Sequence, residues 1–226
     1  MNKSLLTLAV ASAFTMATFV AQAEDLEKAP LPIKTPIPAF MGTPTDVPDD
    51  PHLEKPSETP RAPFMAPKRV KNLALKKKVT GSDTDPISGS YDLVTDGNKE
   101  FSDDTFLEMH RKTQWIQIDL GATYPIYAIL IWHCHNTPQI YRDVIVLGSE
   151  DPTFEDPAKI TTLYNNDHDN SSKLGAGKDL EYFENYEGRL IDTKGKKMRY
   201  IRCYSRGSTY SSMNRYMEVE AWGLEK

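Results

Sequence analysis

The chain has 226 residues, enough for one large domain or two small ones, and its formal net charge of −5 argues against nucleic acid as its main partner. Charged residues make up 26% and hydrophobic residues 39%, as in an ordinary globular protein. Two cysteines exclude a disulfide-rich scaffold and a zinc cluster built on thiolates.

Met1 to Ala23 reads as a secretory signal peptide. Lys3 supplies the positive start, Leu5 to Val20 is uncharged and mostly apolar, and Ala21-Gln22-Ala23 offers small residues at the cleavage site. The apolar run is short for a membrane span, and Glu24-Asp25 follows at once. The expectation is cleavage after Ala23 and export to the periplasm or beyond, with no insertion into a lipid bilayer after the signal is removed. Residues 24–69 come next. Eleven of the 16 prolines of the chain fall between Glu24 and Lys68. Proline removes a donor and fixes φ, so this stretch is expected to be a disordered, extended tether. Proteolysis should then trim it to a core beginning near Val70.

From Val70 the texture changes to short alternating runs: Trp115–Leu120, Tyr127–Cys134, Val144–Gly148, Tyr200–Tyr204 and Met217–Trp222. They are of strand length, rich in Ile, Val, Tyr and Trp, and bounded by turn residues. No stretch carries a long helical period. The fold class is all-β, a sandwich or jelly roll over 70–226. Cys134 and Cys203 each fall in a strand; they read as two buried thiols, the alternative being a disulfide between adjacent strands.

Seven motifs in order resemble the discoidin, or factor 5/8 type C, domain. They are Asn72-Leu73-Ala74-Leu75 with Val79-Thr80; Thr95-Asp96-Gly97-Asn98; Trp115 to Gly121; Ile126 to Ile131; Val146 to Asp151; Arg199-Tyr200-Ile201-Arg202; and Glu218 to Gly223. Where the family often has a tryptophan after the Asp-Gly-Asn turn, this chain offers Phe101, Phe106 and Leu107. The tracts Trp132 to His135 and Asn165 to Ser171 resemble exported bacterial members. The resemblance implies a discoidin-like (galactose-binding-like) jelly-roll β-sandwich, of the kind bacteria often use as carbohydrate-binding modules. It also implies a structural Ca²⁺ between the Asp-Gly-Asn turn and the last strand, with Asp96, Asn98 and Glu218 as the metal residues and Glu220 in reserve. Carboxylates and converging turn carbonyls suit a hard cation, although the same turn residues also serve geometry alone.

Three further groups are candidates. Asp167-His168-Asp169-Asn170-Ser171 is either a loop able to wrap a cation or a turn held by its own hydrogen bonds. His133 and His135 share a strand face by spacing and could join His168 on a transition metal, or be satisfied core residues. Tyr141, Arg142, Arg206, Tyr210 and Asn214 flank strand ends and offer the aromatic faces and planar donors that sugars require, or pack structurally. With both chain ends expected at one end of the sandwich, the loop His135-Asn136-Thr137-Pro138 and the loop Asn165–Asn170 are expected to converge at the other. The functional expectation is a non-catalytic binding module for a cell-envelope or extracellular carbohydrate. The alternatives are a protein-interaction module on the same loops, and a small metal-dependent hydrolase using His133, His135, Asp167 and His168.

Overall fold

The computed structural model describes residues 27–40 and 42–225. The signal-peptide expectation and the start of the proline-rich segment lie outside them. The strands are β1 (Lys28–Pro30), β2 (Met65–Pro67), β3 (Lys71–Asn72), β4 (Lys78–Gly81), β5 (Leu107–Met109), β6 (Gln114–His133), β7 (Ile145–Ser149), β8 (Ile160–Asn165), β9 (Arg189–Ser205) and β10 (Asn214–Gly223). Two 3₁₀ turns, Tyr91–Thr95 and Pro157–Lys159, are the helical elements among the described residues. The fold is an all-β antiparallel sandwich, as expected.

Its frame is the pair β6 and β9, antiparallel along their whole length. Register shifts fall between Asp119 and Tyr124 and between Ile126 and Ala128. There the strands turn from one layer into the other, helped by Gly121 at φ +90°. The second shift changes the parity of the inward set. Ile116, Ile118, Leu120 and Ile126 face the main core; beyond the shift the inward residues are Ile129 and Ile131. In β10 a shift after Tyr216 does the same, so that Val219 and Ala221 complete the set. The two expected strands Trp115–Leu120 and Tyr127–Cys134 are thus parts of one continuous strand.

Cys134 and Cys203 are both free and buried, in separate apolar clusters. Burial pushes both thiols up to about 12. β3 pairs with the end of β10, Asn72 opposite Trp222, so the chain enters and leaves the domain side by side.

The proline-rich segment differs from a free tether. It is extended and poor in regular structure, as its prolines require, but its apolar side chains are docked. The outward face of the second layer carries Ala128, Leu130, Trp132, Cys134, Met217 and Trp222, and Leu31, Phe64 and Ala66 pack on it. Strand β1 pairs with β2. Arg61 donates to the carbonyls of Gly188 (2.7 Å) and Glu187 (3.0 Å), and Glu54 pairs with Arg189. Leu53 is 8% exposed and bridges to Glu181. The physical reason is that both faces of β6 beyond Ile126 are apolar, and an uncovered apolar face of that size needs a lid.

Candidate functional site

Four connections meet at the end of the sandwich opposite Asn72 and Gly223. They precede β6, β7 and β10 and follow β8. Ten residues of β10, at about 3.3 Å each, put this end roughly 30 Å from Gly223. The loops enclose a cleft of about 750 Å³. Arg142, His168, Asp169, Arg206 and Tyr210 line it, together with Arg111, Lys112, Asp143, Glu181 and Ser208–Ser212. Tyr210 stands 63% exposed. The side chains of Arg111, Lys112 and Arg142 make no ion pair or hydrogen bond among the described residues, whereas Arg206 lies 3.6 Å from the Asp143 carboxylate.

The loop behind the cleft is held by its own carboxylates. Asp167, fully buried, accepts from the Ser171 and Ser172 amides at 3.0 and 2.9 Å. Asp169 accepts from Ser171, and Asn170, at φ +56°, accepts from Gly175. Asp143, Asp167 and Asp169 bring their oxygens within 4.8 Å of one another. Burial raises the Asp167 carboxyl, while the Ser171 amide lowers that of Asp169. Every one of these acids has a donor of its own, Ser171 Oγ reaching Asp143 at 2.6 Å. The self-held turn is therefore the observed state of this segment.

The structure moves several expected ligand residues elsewhere. Tyr141 is 1% exposed and stacks on His133 with centroids 4.1 Å apart; it is core. His135 is fully buried, its Nε2 on the Lys99 carbonyl at 3.0 Å. Asn136 is half-buried and does not line the cleft. Asn214 is fully buried: its Oδ1 accepts from Ser205 Oγ (2.9 Å) and Gly207 N (2.8 Å), and its Nδ2 donates to the His110 and Lys112 carbonyls at 2.8 and 2.9 Å. It fastens the loop walls rather than facing them. Of the two loops expected to converge, the Asn165–Asn170 loop reaches the cleft and the His135 loop does not.

The transition-metal and hydrolase alternatives fail on the same geometry. His133 faces Glu184 at 3.1 Å inside the core, His135 faces Lys99, and His168 stacks on His52 at the rim. Strand spacing put the first two histidines on one face, but β6 ends at His133, so the alternation does not extend to His135.

The expected calcium residues are close together. Gly97, at φ +92°, donates its amide to Glu218 Oε2 at 3.1 Å. Asp96 Oδ1 accepts from the Asn98 amide (2.7 Å), and Asn98 Oδ1 from Glu100 (3.0 Å). Glu218 is fully buried, and its Oε1 has no partner. Its carboxyl is pushed up to about 9, by burial first and then by nearby Glu220 and Asp96, against the Gly97 amide and Lys99. Glu220 is spoken for by Lys99 and by Trp222 Nε1. An orphaned, desolvated carboxylate oxygen beside an acidic turn is a donor set that fits a hard cation.

Sequence reasoning missed Asp50 and His52, which line the cleft from the proline-rich segment, and the basic pair Arg111-Lys112 between β5 and β6. The last is a basic pair between strand-like runs and was open to notice. Asp50 and His52 carried no such signal.

No family model and no curated protein matches the chain. Solved structures do. A carbohydrate-binding module, CBM32-4, produced by Clostridium perfringens and solved with GlcNAc-alpha-1,4-galactose, aligns with TM-score 0.50 at 15% identity, over 70% of this chain and 97% of that one. A family 89 glycoside hydrolase from Clostridium perfringens aligns with TM-score 0.50 at 18% identity over 69% of this chain; the match spans 15% of the hydrolase. A fucose-binding module from Streptococcus pneumoniae aligns with TM-score 0.48 at 20% identity, over 69% of this chain and 99% of that one. Such modules are discoidin-like, galactose-binding-like folds, and this chain shares that fold.

Proposed function

We propose that the protein is an exported, non-catalytic carbohydrate-binding module that holds cell-envelope or extracellular polysaccharide in the cleft at the end of the sandwich. The observation that carries this reading is the cleft itself. It is a polar, open groove with an exposed tyrosine and two guanidinium groups, that of Arg142 without a partner among the described residues and that of Arg206 beside Asp143, set on loops of a rigid frame. Sugars need an apolar face for their C–H groups and planar donors for their hydroxyls, and Tyr210, Arg142 and Arg206 provide both. The neighbours that share the fold include modules solved with sugars, which favours this reading over a protein-interaction module. Among the described residues no helix is long and apolar enough to cross a membrane. Binding on a glycan array tests the reading. Tyr210→Ala and Arg142→Ala should each weaken binding of the array's best saccharide about tenfold, with the melting temperature nearly unchanged, as for surface substitutions. Unchanged binding in both variants would move the site elsewhere.

A structural calcium ion fits at Glu218, with Asp96 as the second carboxylate and turn oxygens, Asn98 among them, completing the shell. A ligand that binds only the folded state stabilises it by mass action. Added Ca²⁺ should raise the melting temperature of metal-stripped protein, and Glu218→Gln or Asp96→Ala should remove the response. An identical melt with Ca²⁺ and with chelator in the unsubstituted protein would overturn this site.

A further inference from the structure

We propose that the proline-rich segment forms one wall of the carbohydrate cleft, with His52 and Asp50 contacting the bound saccharide; this rests on the reading of that cleft as the carbohydrate site. The segment is fixed at His52 and Glu54 by backbone bonds. Glu54 N donates to the Glu181 carbonyl and Glu181 N to the His52 carbonyl, both at 2.8 Å, and these bonds bracket the buried Leu53. A turn braces it, with His52 N donating to Asp50 Oδ1 at 2.8 Å and Leu53 N to the Asp50 carbonyl at 3.1 Å.

That anchoring places the His52 ring against the His168 ring, 3.9 Å between centroids and 28° from parallel. Both rings and the Asp50 carboxylate line the same cleft as Arg142, Arg206 and Tyr210. The cleft presents both signs of charge: Asp50 and Glu181 offer acceptors, and Arg142 and Arg206 offer donors. A sugar hydroxyl is donor and acceptor at once, so a site that presents both kinds of partner holds it better than either kind alone. His168 Nε2, in the same stack, is buried and has no partner among the described residues. The Glu181 carboxyl, raised mainly by burial and next by Asp50, reports the same proximity of segment and cleft.

The segment is therefore part of the recognition surface, and its removal deletes binding residues along with a cover. The experiment uses the full chain and an array of neutral, uronate and hexosamine oligosaccharides, followed by titration calorimetry with the tightest of them. His52→Ala and Asp50→Ala should each weaken binding about tenfold, with the melting temperature of His52→Ala unchanged and that of Asp50→Ala lowered by no more than the loss of one exposed turn hydrogen bond. His52→Phe keeps a ring to stack on His168 but loses the ring nitrogens, so it separates packing from hydrogen bonding; it should bind more weakly than the unsubstituted protein and melt with it. Glu58→Ala, an exposed charge of the same segment away from the cleft, should bind unchanged. The proposal is overturned if both His52→Ala and Asp50→Ala bind normally while Tyr210→Ala does not, an outcome that leaves the carbohydrate reading standing. If no saccharide binds the unsubstituted protein, the carbohydrate reading fails and the proposal falls with it.

Discussion

A chain shortened to begin at Val70 should melt on the order of 10 °C below the full-length protein and bind a hydrophobic dye that the full-length protein does not. The shortened chain keeps β3 to β10 and the main core, so it should still collapse. What it loses is the cover of the second layer: Leu31, Phe64 and Ala66 leave Leu130, Trp132, Met217 and Trp222 facing water. A large apolar side chain is worth about 1.5–3 kcal/mol when fully buried. The ordering entropy of the covering segment offsets part of that sum. Arg61 and Leu53 add anchoring that survives only with the segment. Aggregation should rise as well, since contiguous apolar patches of this kind associate. Calorimetry of both chains decides the matter. A shortened protein with an unchanged melting temperature and no dye binding would mean that the fold is complete from Val70, the boundary that composition alone suggests.

Composition pointed to that boundary because proline and charge dominate residues 24–69, and ten large apolar residues scattered among eleven prolines do not stand out in such a stretch. The complementary signal was present on the other side of the contact. The run Ile129-Leu130-Ile131-Trp132 has no polar residue to turn toward water, and a strand without alternation is one buried on both faces. Its second face required a partner, and no spare strand remained to supply one. The rest of the frame was more legible. Alternation in Trp115–Leu120 marked the inward residues Ile116, Ile118 and Leu120. Motif pairs also met as neighbouring strands, Arg199 gripping Asp119 with two hydrogen bonds of 2.8 and 2.9 Å. The first half of β9 was hidden, because Lys194, Lys196 and Lys197 disguise a strand whose inward residues are Ile191 and Thr193.

The site was legible by loop and not by side chain. Residue type identified Arg142, His168, Asp169, Arg206 and Tyr210 as candidates, and these do share a cleft. The same types appear in Tyr141, His135 and Asn214, which point inward. A polar or aromatic residue at a strand end can face solvent or satisfy the backbone of its own loops, and sequence does not distinguish the two when the register is unknown. For His135 the cause is that β6 ends at His133, so strand alternation no longer sets its direction; Asn214 opens β10 and satisfies the backbone of the adjoining loops instead of facing solvent.

Asn214→Ala should therefore be a damaging substitution, costing roughly 2–4 kcal/mol, because it leaves one buried amide and two part-buried carbonyls without this partner, at about 1–3 kcal/mol for a fully buried group. The groups are the Gly207 amide and the carbonyls of His110 and Lys112, and the Ser205 hydroxyl loses its acceptor too. These bonds tie the loop after β9 to the loop before β6, so their loss loosens both walls that carry Arg111, Lys112 and Arg206. Saccharide binding should fall as well, but as a consequence of disorder and in step with the melting temperature. Asn214→Asp separates the two halves of the clamp: it keeps an acceptor for Ser205 and Gly207 and turns a carboxylate toward two carbonyls, so it should be destabilising too, and more so as pH rises and the new carboxyl ionises. Tyr210→Ala should show the opposite pattern, weak binding on an unchanged fold. If Asn214→Ala instead melts with the unsubstituted protein and loses only saccharide binding, the four hydrogen bonds do not hold the loops, and Asn214 belongs in the cleft with Tyr210.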